Sequence, residues 1–399
     1  MKPTLEDLGN LSGQTVLVRV DYNVPLDGQT VTDDSRVRET LPTLRYLLRG
    51  GAKVVLCAHM GRPQRKDPST WGSLSLRPVA RVLADLLGQP VAFVDNCIGP
   101  EAEAAKAALE PGGVLLLENT RFHEGEESKD PAERREFARQ LAAGCDSFVQ
   151  DAFGAVHRAH GSTTGVVEFL KPAVLGNLVQ RELSVLTELR DAPERPLVVI
   201  LGGAKVADKL GVVKSMLNLA DTLIIGGGMA YTFFKARGLE IGKSLLDADS
   251  LDAVVEIEAE AKTKGVKLLL PVDIVVAPEF AADAPATVVG VDSIPADQEG
   301  LDIGPETRKL FAAALEGSKM VFWNGPMGVF EFDRFAEGTN AVAEALAACG
   351  AKVVVGGGDS GAAVKKAGVA DQMYHNCTGG GASLEFLEGG ELPGIDAIQ

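Results

Sequence analysis

The chain has 399 residues, 46% hydrophobic and 24% charged, with a formal net charge of -16. That length exceeds one ordinary core, so two domains are expected. The acidic surplus makes nucleic acid and anionic membrane poor partners, and an anion site must gather its few cations locally. Five cysteines, odd in number and without a C-x-x-C pair, argue against a zinc site or a disulfide framework and predict reduced thiols in a cytoplasmic protein. The opening MKPTLEDLGN lacks an apolar signal-peptide stretch, and no run approaches the ~20 apolar residues of a membrane span.

Short apolar runs alternate with longer amphipathic stretches along the whole chain. The first half offers TVLVRV, AKVVLCA, VAFV, GVLLLE and SFVQ as strands, with RPVARVLADLLG and PAERREFARQLAAG as helices. The second half offers PLVVIL, TLIIG, KLLLPVDIVVA, KMVFW and AKVVVG, with AVVEIEAEAKTKG and TNAVAEALAACG as helices. Strands of Val, Leu and Ile without polar alternation are buried on both faces. Their alternation with helices predicts an α/β fold of two Rossmann-like domains with mainly parallel sheets. Leu178, Val179, Leu183, Leu186 and Leu189 fall near one helical face, and Pro193 and Pro196 stop that helix. It reads as a helical hinge over 172–192, between a domain at 1–171 and another at 193–382, followed by a Gly-rich tail at 383–399.

In open parallel sheets, ligands bind beyond the C-terminal ends of the strands. In the first half those ends carry Asp21 and Asn23, then His59 and Arg62, then Arg121 and His123, then Asp151, His157, Arg158 and His160. The loop after the first strand adds Arg36 and Arg38. For any one of these a surface ion pair is the simpler reading. Four successive strand ends with such residues favour a site for an anion with several oxygens, since guanidinium groups fork onto carboxylate or phosphate.

The second half ends its strands in LGGAKVADK, IIGGGMAYTFF, FWNGPMGVFE and VVVGGGDSGAAV. Glycine lets backbone approach a ligand, and a helix starting at such a turn offers N–H groups to phosphate. The LGGAKVADK turn lacks the P-loop spacing but carries Lys205 and Lys209. Asp359 is placed to hold Mg²⁺, a hard cation that prefers oxygen, and Ser360 to cap a helix or touch phosphate. Gly356, Gly358 and Gly361 satisfy G-x-G-x-x-G, but the ribose-binding acid expected ~20 residues later is missing from QMYHNCTGGGAS. A nucleotide phosphate site therefore reads better than a dinucleotide site. One half for an oxygen-rich anion and one for a nucleotide, joined by a hinge, is the plan of a phosphotransferase that works by domain closure.

The ordered motifs VRVDYNVP, AHMGRP, LENTRFH, DAFGAVHRAH, LGGAKVADK, GGGMAYTF, FWNGPMGVFE and GGGDS closely resemble those of the phosphoglycerate kinase family. The resemblance implies a two-domain monomer of glycolysis. It would transfer phosphoryl reversibly between 1,3-bisphosphoglycerate and ADP, giving 3-phosphoglycerate and ATP, with Mg²⁺. On matching positions it implies that Asp21, Asn23, Arg36, His59, Arg62, Arg121 and Arg158 bind the phosphoglycerate. Lys205 and Lys209, with Gly203 and Gly228, would contact nucleotide phosphates and the transferring group. Asn324 and Glu331 would line the nucleotide pocket, Glu331 at the ribose. Gly357, Gly358, Asp359 and Ser360 would hold phosphates and Mg²⁺, Asp359 as the metal ligand. The C-terminal segment would return to the first domain. Ser360 stands where many members have Thr, which keeps the hydroxyl. The acceptor is a carboxylate, ionised near pH 7, so no general base is needed. Alignment and charge neutralisation remain, and Arg36, Lys205 and Lys209 are the candidates for that work.

Overall fold

The apolar runs of the first half fold as strands β1 (Thr15–Val20), β4 (Lys53–Cys57), β5 (Val91–Val94), β6 (Val114–Leu117), β7 (Ser147–Asp151) and β8 (Ala173–Leu175). They form one sheet in the order β5-β6-β4-β1-β7-β8, parallel throughout. A two-residue hairpin, β2 (Leu26–Asp27) and β3 (Thr30–Val31), lies in the loop after β1. Helices α1 (Ser35–Arg49), α2 (Arg77–Leu87), α3 (Gly99–Ala107) and α4 (Pro131–Ala142) supply the crossovers. Val16, Val18, Val20, Val54 and Leu56 pack with Leu44, Leu47 and Leu83 of α1 and α2 in one core.

The computed structural model describes residues 2–64 and 67–399. Two units separate, Met1–Ser184 with Glu391–Gln399, and Val185–Gly390. The division falls inside α5 (Asn177–Asp191), the helix read as a hinge. Leu178, Val179, Leu186 and Leu189 are buried as the periodicity predicts, Leu183 is half-buried, and Val185 and Glu182 are buried besides. The segment that returns to the first unit is Glu391–Gln399, shorter than the tail read from 383. Short helix α13 (Pro393–Asp396) is tied there by Gly394 N–H to the Val156 carbonyl at 2.8 Å and by Lys2 Nζ to the Ile398 carbonyl at 2.7 Å. Residues up to Gly390 stay with the second unit, where α12 (Gly380–Leu387) packs on α6 (Leu210–Met216). Gly211 of α6 leaves room for the Glu388 side chain.

The second unit has its own parallel sheet, in the order β11-β10-β9-β15-β16-β17. Its strands are β9 (Leu197–Leu201), β10 (Thr222–Ile225), β11 (Lys267–Leu269), β15 (Met320–Asn324), β16 (Lys352–Gly356) and β17 (His375–Asn376). Crossovers run through α6, α7 (Ala230–Ala236), α8 (Leu251–Lys264), α9 (Pro305–Leu315), α10 (Glu337–Ala348) and α11 (Gly358–Lys366). KLLLPVDIVVA reads as one strand but divides at Pro271, which has no N–H for a ladder. β11 stays in the parallel sheet, while β12 (Asp273–Ala277) is the middle strand of a small antiparallel sheet with β13 (Thr287–Gly290) and β14 (Glu299–Ile303). The Asp273 carboxylate accepts from the N–H groups of Glu306 and Thr307 at 3.0 and 2.7 Å, fixing the first turn of α9.

Asp151, the last residue of β7, holds the start of α5 in the same way. Its Oδ1 accepts the Leu178 N–H at 3.0 Å, and Gly176 is required because a Cβ there would lie 2.2 Å from that oxygen. The second oxygen, Oδ2, is buried without a hydrogen-bond partner among the described residues. Burial raises this carboxyl to about 7, against the lowering effect of its hydrogen bonds. The folded pKa lies above the unfolded value of about 3.9, so its stabilising contribution is full below pH ~4 and is lost as pH rises through about 7. Asp151→Asn escapes that loss. Urea denaturation at several pH values is expected to show the variant gaining on the parent between pH 4 and 7, and a flat or opposite trend would refute the assignment.

Candidate functional site

A wholly parallel ladder places all C-terminal strand ends on one edge of the sheet. The four strands whose ends carry Arg, His, Asn or Asp are β6, β4, β1 and β7, four neighbours in the sheet order. The separate sequence motifs of the first unit are therefore gathered along one edge. Arg36, in the first turn of α1, reaches back to Asp21, with Nη1 2.8 Å from Oδ2. Asn23 Oδ1 accepts the Gly61 N–H at 2.9 Å, and Arg121 Nη1 donates to the Gly61 carbonyl at 2.7 Å. The loops after β1, β4 and β6 are thus tied through Gly61. Arg121 also pairs with Glu127 at 2.8 Å. Arg62 and Arg158 are exposed, Arg158 with its Nε 3.0 Å from His157 Nε2. Arg38 takes the simpler role: it forks onto Asp34 one turn away on the same helix, at 2.8 and 2.7 Å.

Beneath these groups lies Arg19, fully buried in β1. Its Nη2 is 2.9 Å from His59 Nδ1, its Nη1 bonds the Val20 carbonyl, and its Nε donates to Ser162 Oγ at 2.8 Å. Ser162 Oγ donates in turn to the buried Glu126 at 2.6 Å. Guanidinium has no acceptor, so His59 Nδ1 accepts and its Nε2 carries the proton. Sequence reading passed over Arg19, although one arginine inside TVLVRV, a strand otherwise apolar, was a signal that a buried partner set exists. Burial first, and Arg19 and Arg121 next, push His59 well below its usual value. Burial, then Arg19, Arg121 and Arg158, lower His160 to about 3. Burial first, and the same guanidiniums after it, disfavour both histidines as cations along this edge.

The second unit repeats the plan with different chemistry. Its four glycine turns follow β10, β9, β15 and β16, again four neighbours of a parallel sheet. The turns interlock through backbone. Gly202 N–H donates to the Asn324 carbonyl at 2.9 Å and Gly203 N–H to the Pro326 carbonyl at 3.1 Å. At Gly202 a Cβ would sit 2.1 Å from that same carbonyl oxygen. Gly203, with φ of 113°, and Gly357, with φ of 93°, take conformations that L side chains rarely adopt. Gly357 and Gly358 lead into α11, whose first-turn N–H groups lack intrahelical partners.

The structure divides the predicted residues of this unit into two sets. Gly203, Gly228, Glu331 and Asp359 line a cavity of about 320 Å³, at the lower end of ligand-site volumes. Lys205 is exposed on the turn after β9. Lys209, Asn324 and Ser360 instead hold the turns together. Lys209 Nζ donates to the Gly202 and Asn324 carbonyls and, at 2.6 Å, to Asn324 Oδ1. Its three N–H bonds are thereby used, and burial lowers it to about 8. Ser360 Oγ is fully buried and accepts the Gly325 N–H at 2.6 Å. Asp359 is exposed, with no ion pair or hydrogen bond to its carboxylate among the described residues. Sequence reading did not identify the apolar walls of the cavity, Tyr231, Leu245, Phe280 and Leu301. They come from four separate segments and carry no local motif.

The chain thus holds two α/β units, one with an edge of cations and the other with an edge of glycine turns beside a cavity. Comparison with known proteins specifies the class. The Phosphoglycerate kinase family model matches residues 5–390. The Phosphoglycerate kinase of Synechococcus sp. (strain JA-3-3Ab) is 56% identical over 400 residues, covering 98% of this chain and 96% of that protein. That of Moorella thermoacetica is 56% identical over 397 residues, covering 100% and 99%. The solved phosphoglycerate kinase of Coxiella burnetii is 39% identical, with a TM-score of 0.85 over 100% of this chain and 99% of that one. That of Pyrococcus horikoshii OT3 is 33% identical, with a TM-score of 0.84 over 99% and 98%. The chain belongs to the phosphoglycerate kinase family.

The electrostatics of the first edge give a direct test. Between pH 5 and 8, nitrogen-detected NMR is expected to show His59 as the neutral Nε2–H tautomer and His160 as neutral. An imidazolium signal growing in near the unperturbed pKa of about 6.5 would show that burial and the neighbouring guanidiniums do not hold these rings neutral.

Proposed function

We propose that the cationic edge of the first unit binds the phosphoglycerate and the glycine turns of the second bind the adenine nucleotide. The reaction is the family's: reversible phosphoryl transfer between 1,3-bisphosphoglycerate and ADP, giving 3-phosphoglycerate and ATP. The observation that carries this reading is the family match from residue 5 to residue 390. The motif residues at the C-terminal ends of adjacent strands support it.

Each group then has a task that follows from its surroundings. Arg62, Arg121 and Arg158 pair with the substrate's phosphate and carboxylate oxygens. Neutral His59 donates from Nε2, a role Arg19 enforces by occupying Nδ1. Asp21 and Asn23 hold Arg36 and Gly61 in place. Carboxylate attack on phosphorus needs no proton removed, so no residue serves as base. What remains is to neutralise charge as the PO₃ group transfers. Arg36 serves from the acceptor side and Lys205 from the nucleotide side, after domain closure about α5. Gly203, Gly228, Gly357 and Gly358 present backbone to the phosphates, and Glu331 serves the ribose. Lys209, Asn324 and Ser360 keep those turns in register, and Lys209 reaches a phosphate only by exchanging one of its carbonyl partners.

Asp359 fits a hard divalent cation, since it is an unpaired carboxylate at the cavity wall beside the helix start that would face phosphate. When bound there with the nucleotide, Mg²⁺ supplies charge to the phosphate oxygens. The enzyme is expected to act as a cytoplasmic monomer.

A coupled assay with 3-phosphoglycerate, ATP and Mg²⁺ tests the function, and absence of acyl-phosphate formation would overturn it. Lys205→Ala is expected to lower kcat by roughly 10²-fold, the scale of losing one preorganised charge-stabilising donor. The KM values should change less. If only KM rises while kcat holds, Lys205 binds ground state and transition state alike and the assigned role fails.

A further inference from the structure

Arg62 is exposed, and its guanidinium makes no ion pair or hydrogen bond among the described residues. Its place is therefore set by the backbone on either side. Before it, Gly61 is tied to Asn23 and to Arg121. After it, the Gln64 carbonyl accepts the indole N–H of Trp71 at 3.3 Å. Trp71 belongs to a 3₁₀ segment, Pro68–Leu74, between β4 and α2. Its ring lies flat on that of Phe122, with centroids 4.5 Å apart and an angle of 7° between the planes. Phe122 follows Arg121 in the turn after β6. One indole thus joins the stretch that carries Arg62 to the turn that carries Arg121.

The later end of the segment is secured without the indole. Asn119 Nδ2 donates to the Met60 and Leu74 carbonyls at 2.8 and 3.1 Å. Ser75 Oγ and the Leu76 N–H donate to the Glu118 carboxylate at 2.6 and 2.8 Å. Asp67 caps the earlier end, but its bonds stay within the segment, to Ser69 and Thr70. Trp71 is half-buried and stands outside the apolar core of the first unit, so that core closes without it. We propose that Trp71 is a positioning residue for the anion site, one that fixes the backbone of Arg62 relative to Arg121 so that both guanidiniums reach the same oxygen-rich acid. An exposed arginine loses much freedom when it binds, and backbone that is already ordered reduces what the ligand must order. The inference rests on the reading of this edge as the phosphoglycerate site. Trp71 acts through Arg62 and touches no reacting atom, so its effect falls on affinity for the acid and leaves the transfer step alone.

The test is a double-mutant cycle on the full chain, with Trp71→Ala, Arg62→Ala and the pair, read by steady-state kinetics with 3-phosphoglycerate and ATP. Trp71→Ala is expected to raise the KM for 3-phosphoglycerate about 3- to 10-fold, the scale of one aromatic pair, with kcat and the KM for ATP nearly unchanged. Trp71→Phe keeps a stacked ring without the N–H and should fall between Ala and the parent. In the Arg62→Ala background the Trp71 substitution should have almost no further effect, because the group it positions is gone. The same loss in both backgrounds would show that Trp71 acts independently of Arg62. A fall in kcat with the KM held would show general disturbance of the domain, and an unchanged KM would show a ring that only covers apolar surface. Each of these three results overturns the proposal with the anion site intact. If Arg62→Ala alone leaves the KM for 3-phosphoglycerate as it was, the assignment of Arg62 to that site fails first and takes the proposal with it.

Discussion

Parallel pairing of four neighbouring strands is the constraint on which both sites depend. In an antiparallel sheet alternate strands would end on opposite edges, and residues drawn from four motifs could not meet. Here β6, β4, β1 and β7 finish together in the first unit, and β10, β9, β15 and β16 in the second. The strands can run parallel because each is buried on both faces, covered by the helices that make the crossovers. Apolar composition of the strands and convergence of the polar residues just beyond them are one arrangement seen from two sides.

The two edges handle negative charge by different means. The first uses guanidinium groups, several of them partly desolvated, and accepts the cost of putting them close together. Burial first, and the neighbouring guanidiniums after it, depress the histidines and lower Arg121 from its ordinary value. Glu126, Glu127 and Asp21 offset part of that cost. The second edge uses few full charges. Its turns are shaped by glycine where carbonyl oxygens or side chains crowd the backbone, and Lys209 spends its ammonium on three oxygens of the protein. Guanidinium suits an acceptor with carboxylate and phosphate oxygens, while backbone amides suit a chain of phosphates whose charge a metal shares.

Most of the fold was legible because strands buried on both faces leave long Val, Leu and Ile runs, and the cationic strand ends stood out against an acidic chain. The small antiparallel sheet was not legible. β12 is as apolar as its neighbours, and only Pro271 marks where one sheet ends and the next begins. Asn324 and Ser360 sit in recognisable motifs, but sequence does not say that their side chains turn inward to hold backbone. Arg19 was missed because its partners, His59, Ser162 and Glu126, lie 40, 143 and 107 positions away along the chain.

Arg19 shows why an inward layer is needed at all. A surface arginine can bind an anion, but it does not fix the tautomer of a neighbouring imidazole. Buried in a central strand, Arg19 occupies Nδ1 of His59, so the ring is held as an Nε2–H donor. It also couples His59 through Ser162 to Glu126, a carboxyl raised by burial yet sustained by Arg19 and by hydrogen bonds from Ser162 and Thr120. Removing Arg19 would leave Glu126 without its countercharge and His59 without its orientation at the same time. The cationic edge therefore depends on a buried residue behind it, and the sheet that gathers the strand ends also supplies the charge that orders them.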